Sequence, residues 1–186
     1  MVGKTVVNLN YTSSIDNLQA AVAQAEVSQV YSSRRFLEKL AQRGVVLDEL
    51  LAQVEVIYLE ELKAQCTAWQ SVVTYAAVRL LPVAILKRLY IARMDAADAA
   101  AILFSNGSEA APKGVVLSHR SLMSNIKQVS DVLDVRHDDV MIGCLPTFHA
   151  FGLTVTGLLP LIEGIPVVCY ADPTDAYGIA KLIERH

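Results

Sequence analysis

Apolar positions along this chain gather into short runs and helical stripes that alternate from one end to the other. Asn8-Leu9-Asn10 reads as the tail of an earlier element. Ser13 or Ser14 is then placed to cap a helix carrying Ile15, Leu18, Val22 and Ala25 on one face. Val27 to Tyr31 is a strand candidate. Ser32 or Ser33 can cap the next helix, with Phe36, Leu37 and Leu40 turned inward and Gly44 at its end. A short helix around Leu47 to Gln53 leads into the strand run Val54 to Leu59. Helix, strand, helix, helix, strand favours parallel pairing through helical crossovers.

That rhythm breaks at Trp69 to Tyr90, a long apolar stretch punctuated by Arg79, Pro82, Lys87 and Arg88. An arginine near its middle argues against a membrane span. Trp69, Val72, Val73, Ala76, Leu80 and Leu81 fall roughly on one helical face. Three readings of this 68–93 segment stay open: a helix packed on the domain, a helix lying at a membrane surface, or a flexible insertion.

Beyond it, Ala101 to Phe104 reads as a buried strand, followed by a loop of small and polar residues, Ser105 to Gly114. Val115-Val116-Leu117 is a second short strand, and Ser118 opens a helix with Leu122, Ile126, Val129 and Leu133 on its inner face. Asp138-Asp139 precede the strand Val140 to Cys144, which Leu145-Pro146 stops. Thr147-Phe148-His149-Ala150-Phe151-Gly152 starts a very apolar helix ending near Gly164. Pro166 to Tyr170 is another strand, Asp172-Pro173-Thr174 a turn, and a last helix runs from about Asp175. The sustained order predicts an α/β fold: a doubly wound, mostly parallel sheet with helices on both faces.

Composition narrows the function. The 186 residues suffice for one α/β domain with a sizeable core. An apolar fraction of 53% and mean hydropathy of +0.38 are high, so either much of the chain is buried or some apolar surface awaits a partner or membrane. A net charge of −3 with no basic tract speaks against nucleic acid. Cys66, Cys144 and Cys169 form no C-x-x-C pair. Cys144 and Cys169 lie in apolar runs, which predicts buried, reduced thiols and a cytoplasmic chain. The start shows no secretory apolar segment.

The loop after Phe104 is the stretch that speaks of chemistry. Backbone N–H groups bared by small residues, hydroxyls and one ammonium suit an anion such as a phosphate group. The order Pro112-Lys113-Gly114 excludes the common nucleotide loop, in which glycine precedes the lysine and a hydroxyl residue follows it. The dinucleotide pattern G-x-G-x-x-G is absent as well.

Ser105-Asn106-Gly107-Ser108-Glu109-Ala110-Ala111-Pro112-Lys113-Gly114, with the following Val115-Val116-Leu117-Ser118-His119, resembles the phosphate-binding signature of the adenylate-forming (AMP-binding) superfamily. Leu145-Pro146-Thr147-Phe148-His149-Ala150-Phe151-Gly152 resembles a second block of that superfamily at about the expected spacing. The Gly-Ser-Glu form, the F-H-x-F-G-L-T continuation and the upstream V-I-Y-L-E-E-L-K run look most like the acyl-ACP synthetase half of bifunctional acyl-ACP synthetase/2-acylglycerophosphoethanolamine acyltransferases.

The resemblance implies that ATP and a fatty acid give an acyl-adenylate, whose acyl group then passes to the thiol of acyl carrier protein or CoA. It implies that Ser105, Asn106, Gly107, Ser108, Glu109, Lys113 and Gly114 hold the ATP phosphates. Phe148, His149, Phe151 and Gly152 would line the acyl pocket, with Lys113 and His149 acting in catalysis. Magnesium would accompany the ATP, its protein ligand lying elsewhere in the family's longer chain. Asn106 replaces a hydroxyl residue of the pattern, and Ala110 replaces a glycine used for chain reversal. The resemblance also makes residues 1–186 a fragment of the N-terminal adenylation domain, inactive alone. Other expectations follow: a peripheral place on the cytoplasmic face of the inner membrane, and dimerisation through surface bared by truncation. His119, His137 and His149 lack an aspartate five residues on, so no H-x-x-x-x-D acyltransferase motif occurs. A contrasting reading is a non-catalytic interaction or membrane-association module with an adenylation-like fold.

Overall fold

The computed structural model describes residues 3–105, 112–136 and 138–186. They form two compact units, one centred on Tyr11–Met94 and one joining Thr5–Asn10, Asp95–Ser105 and Lys113–His186.

In the first unit, Ser14 and Ser33 act as helix caps. The Ser14 side chain accepts from the Asn17 N–H ahead of α1 (Ile15–Gln24), and that of Ser33 from the Phe36 N–H ahead of α2 (Arg34–Gln42). Each supplies a partner to an N–H that the helix itself leaves unpaired. Between them runs β2 (Gln29–Ser32), numbered after β1 (Val6–Asn8) of the second unit. Gly44 takes the left-handed φ of +82° beyond α2, as expected of a helix stop. A short α3 (Asp48–Leu51) leads to β3 (Glu55–Tyr58), which pairs parallel with β2 from Gln29↔Glu55 to Ser32↔Tyr58. Leu18, Ala21, Val22, Leu40 and Leu50 are buried here.

The strand expected through Leu59 ends one residue early, because α4 (Leu59–Gln65) begins there. Glu60 and Glu61 lie in its first turn, where a negative charge suits the helix dipole. They also meet Arg34: its N–H donates to Glu60 Oε1 at 3.1 Å, its guanidinium pairs with Glu61, and it stacks 3.8 Å over the Tyr58 ring. Tertiary charge pairing thus favours helix where the apolar run suggested extended chain.

The 68–93 segment comprises two helices, α5 (Ala68–Leu80) and α6 (Val83–Tyr90), separated at Pro82. Thr67 and Gln70 close a reciprocal capping box at the start of α5. Neither helix buries a residue. Trp69 is 73% exposed and Leu80 80%. Among the described residues no helix is long and apolar enough to cross a membrane.

The second unit holds the sheet β1–β4–β5, with β4 (Ala99–Ser105) in the middle and β5 (Lys113–Ser118) at one side. β1 runs parallel to β4, Val6↔Ala101 to Asn8↔Leu103. β5 returns antiparallel, ending at Ser105↔Lys113. The connection is too short for the crossover that a parallel return needs. α7 (His119–Leu133), capped by Ser118, leads to β6 (Met141–Gly143). A π-helical turn (Gly152–Leu158) and α8 (Leu159–Glu163) follow, ending at Gly164 with φ +74°. β7 (Val167–Cys169) pairs parallel with β6, and α9 (Ala176–Arg185) follows. Ile126, Val155, Leu159 and Ile165 form the buried cluster, flanked by Val129, Val135, Met141 and Leu158.

The architecture is α/β with parallel pairing in β1–β4, β2–β3 and β6–β7. The cysteines are free thiols, as expected, but the expectation that they are buried is corrected: Cys169, at the end of β7, is exposed and Cys144, just beyond β6, is only half-buried.

A polar clasp fixes the start of α9. Asp175 accepts from the Gly178 N–H at 2.9 Å and from the Tyr170 hydroxyl. The Tyr170 bond, then the Gly178 N–H, holds the Asp175 carboxyl below its ordinary range; the same bond holds the Tyr170 hydroxyl above its own. Asp175 therefore adds stability above about pH 4 that is lost as pH falls through its lowered value, and Tyr170 adds stability below about pH 10 that is lost as pH rises through its raised value. Tyr170→Phe is expected to flatten both arms of the stability–pH curve, read as urea midpoints across pH. An unchanged curve would contradict the clasp.

Candidate functional site

The two sequence blocks are brought to one end of the second unit by β1 and β4. Both strands run toward the same edge, and in open α/β sheets ligands bind beyond the carboxyl ends of the strands. β4 delivers Ser105 there, and β5 starts from the same place with Lys113, its direct cross-strand partner. The Ser105 hydroxyl donates to the Lys113 carbonyl at 3.5 Å. Their side chains are exposed. Ser105, Lys113 and Gly114 are thus strand residues, and the expected loop is shorter than the Ser105–Gly114 stretch. Asn106, Gly107, Ser108, Glu109 and Ala110, and with them the two departures from the pattern at Asn106 and Ala110, lie outside the described residues.

Gly114 sits opposite Phe104, and a Cβ on it would lie 3.1 Å from the Phe104 ring. Absence of a side chain there lets the aromatic ring lie across the ladder, a packing reason for glycine beside any role toward phosphate. His119, at the far end of β5, has its backbone N–H on Asp98 O at 3.1 Å, and its Nε2 is buried with no hydrogen-bond partner among the described residues.

The second block is tied to the same edge by a residue that the sequence left unassigned. Asn8, opposite Leu103 at the end of β1, donates its side-chain amide to the Thr147 carbonyl at 3.1 Å. No motif marks Asn8, and its task follows only from where β1 ends. Thr147 opens a turn in which the His149 N–H donates to Pro146 O at 3.1 Å and the Leu153 N–H to His149 O at 2.9 Å. Phe148 is buried, His149 exposed, Phe151 60% exposed and Gly152 buried. The Phe148 and His149 rings are tilted by 58° with centroids 4.6 Å apart. Phe148 therefore anchors the turn while His149 and Phe151 reach outward.

The turn continues as π-helix instead of the plain helix that the apolar pattern suggested. Thr154 and Thr156 donate their hydroxyls to Ala150 O and Gly152 O, four residues back, at 2.8 and 2.9 Å. Such side-chain bonds compete with the α-helical pattern, and π-turns concentrate where function needs an irregular backbone. Chemically, this edge offers a hydroxyl, an ammonium, an imidazole and an aromatic face. Among the described residues no group of three or more His, Cys, Asp or Glu is placed to hold a metal ion.

Comparison with known proteins identifies the family and the fold. The family model described as AMP-binding enzyme matches residues 1–186. The chain is 26% identical over 191 residues to 4-coumarate–CoA ligase-like 6 of Arabidopsis thaliana, covering 99% of this chain and 31% of that protein. It is 38% identical over 58 residues to a chloroplastic long-chain-fatty-acid–acyl-carrier-protein ligase of the same plant, covering 31% of this chain and 8% of that one. The chain thus spans less than a third of these curated relatives. Among solved structures, o-succinylbenzoate coenzyme A synthetase of Bacillus subtilis in complex with ATP and magnesium has the same fold, with a TM-score of 0.72 at 19% identity over 98% of this chain and 32% of that one. The match across the whole chain, the two blocks at one strand edge and the shared fold place this chain in the AMP-binding enzyme family.

Proposed function

We propose that this chain forms the phosphate-binding and acyl-side part of the adenylation domain of a fatty acyl-ACP or acyl-CoA synthetase. The observation that carries the reading is the convergence of Ser105, Lys113 and the Thr147–Gly152 turn on the carboxyl edge of β1 and β4. In the proposed reaction a fatty-acid carboxylate oxygen attacks the α-phosphorus of ATP, a new P–O bond forms, and the bond to the β-phosphate oxygen breaks to release pyrophosphate. The acceptor's thiolate then attacks the acyl carbonyl, and AMP leaves. Lys113 offsets the charge that grows on departing pyrophosphate, and the Ser105 hydroxyl donates to a phosphate oxygen. His149 stands beside the carboxylate, and Phe151 offers apolar surface to the chain of the acid. Magnesium, bound with the nucleotide, would further shield its phosphates.

Relatives that act on long-chain fatty acids support the choice of acid: besides the ACP ligase, a long-chain-fatty-acid–CoA ligase of Yersinia pestis is 30% identical over 92 residues, half of this chain and 16% of that protein. The resemblance of the Gly-Ser-Glu and F-H-x-F-G-L-T blocks to the bifunctional synthetase/acyltransferases favours acyl carrier protein as acceptor. Since the relatives carry more than twice this length, we expect the remaining groups of the active site from sequence beyond these residues. Incubation of the 186-residue chain with palmitate and ATP is expected to release no pyrophosphate. Release above the no-enzyme background would overturn that part of the proposal.

A further inference from the structure

Side chains alternate between the two faces of the β1–β4–β5 sheet, and paired residues share a face. The pairings Val6↔Ala101, Asn8↔Leu103 and Ser105↔Lys113 therefore put Asn8 on the face that carries Ala101, Leu103, Ser105 and Lys113. Ala101 and Leu103 are buried there, and Asn8 is half-buried beside them. An amide among apolar neighbours needs a hydrogen-bond partner, because leaving it unpaired is costly. The Thr147 carbonyl is that partner, at 3.1 Å and 139 residues away in sequence.

Register gives this bond its place in the site. Asn8 stands opposite Leu103, two residues before Ser105. Along the strands it therefore lies about 7 Å behind the Ser105–Lys113 pair. The turn that it grips carries Phe148, buried, and then His149, exposed, with the two ring centroids 4.6 Å apart. Phe148 by itself fixes one point and leaves the turn a pivot. The Thr147 carbonyl, bonded to Asn8, is a second fixed point, and the two together set the direction in which His149 leaves the backbone. An amide does not titrate in the working range of a protein, so this spacing does not change with pH.

We propose that Asn8 is a positioning residue for the adenylation step: from the sheet face that bears Ser105 and Lys113, it sets the distance to the turn that presents His149 and Phe151. Attack of a carboxylate oxygen in line with the departing pyrophosphate demands such spacing, since a misplacement of about 1 Å can cost about a hundredfold in rate. Asn8 acts through the turn and touches neither substrate. The assignment rests on the nucleotide reading of the β4–β5 edge, and its test tells the two apart.

Two variants of the 186-residue chain remove the donor: Asn8→Leu, and Asn8→Asp, which keeps the shape but sets a carboxylate oxygen against the carbonyl. The first readout needs no ligand. Amide hydrogen exchange at His149 and Leu153, whose N–H groups close the turn, is expected to quicken by about three- to tenfold in both variants. Exchange at His119, whose N–H meets Asp98 O at the far end of β5, is expected to stay unchanged. The second readout is position. Manganese–ATP bound at the edge relaxes nearby protons with a steep dependence on distance, so the His149 ring protons report the spacing. A displacement of about 1 Å, the scale that matters for catalysis, is expected to change that relaxation by about twofold in both variants, with ATP affinity unchanged. Unchanged exchange at His149 and Leu153, or an equal rise at His119, would overturn the proposal. So would unaltered relaxation in variants that bind manganese–ATP as the wild type does, and this result would leave the nucleotide reading standing. A wild-type chain that binds no manganese–ATP would overturn the nucleotide reading and this assignment with it.

Discussion

Gly152→Ala is expected to cost this protein about 3 kcal/mol or more of stability, at the upper end of what overpacking does. A Cβ at Gly152 would overlap the Pro146 carbonyl oxygen, lie 2.7 Å from its carbon and 3.2 Å from the Leu145 carbon. These are backbone atoms, and the Pro146 carbonyl is held by the His149 N–H, so no side chain can swing aside. Relief would require the Thr147 turn to part from the π-helix, and Thr156, which donates to Gly152 O, would move with it. Urea denaturation followed by circular dichroism checks this. Gly157→Ala is the control, since a Cβ there would meet only Gly152 O at 3.2 Å and the Thr147 methyl carbon at 3.9 Å. Equal midpoints for the two variants would contradict the packing argument. Gly152 entered as a pocket residue; the structure gives it a distinct task, to let the backbone of the turn lie on the helix that follows.

Lys113→Ala is expected to lower affinity for a triphosphate by about ten- to a hundredfold, the range for a hydrogen bond to a charged group. Lys113 is exposed and has no ion-pair partner among the described residues, so its removal should leave stability within about 0.5 kcal/mol. The lost affinity would then be attributable to the ammonium itself. Lys113→Arg keeps the charge and should recover part of it. Calorimetric titration of the three proteins with ATP provides the measurement, and equal affinities would remove Lys113 from the phosphate site.

Much of this was legible from local chemistry. Ser118 could be named as a cap, and Ser14 and Ser33 as one of two neighbouring candidates each, because a short hydroxyl side chain before an apolar stripe has one favourable use. Gly44 and Gly164 were legible for the same kind of reason, since both take positive φ at a helix end. What escaped depended on distant partners. Leu59 to Gln65 follows β3 without a breaking residue, and its helix is favoured by Arg34, far away in sequence. The π-turn needs Thr154, Thr156 and Gly152 to act together, which no period in hydrophobicity reports. The outward face of Trp69 was hidden by its own pattern, because a helical stripe has the same spacing whether it meets a core or a lipid surface. At the candidate site, the motif residues could be listed but their meeting place could not. Asn8 fixes it, and nothing about an asparagine in a short polar stretch announces that role.

The central claim, that the β4–β5 edge holds the β- and γ-phosphates of a nucleotide, is tested most directly by titrating the 186-residue chain in parallel with ATP, inorganic pyrophosphate and AMP. ATP and pyrophosphate should bind, with affinities that fall together in Lys113→Ala, while AMP, which lacks those phosphates, should bind far more weakly. Binding of AMP as tight as ATP, or binding of ATP untouched by loss of Lys113, would contradict it.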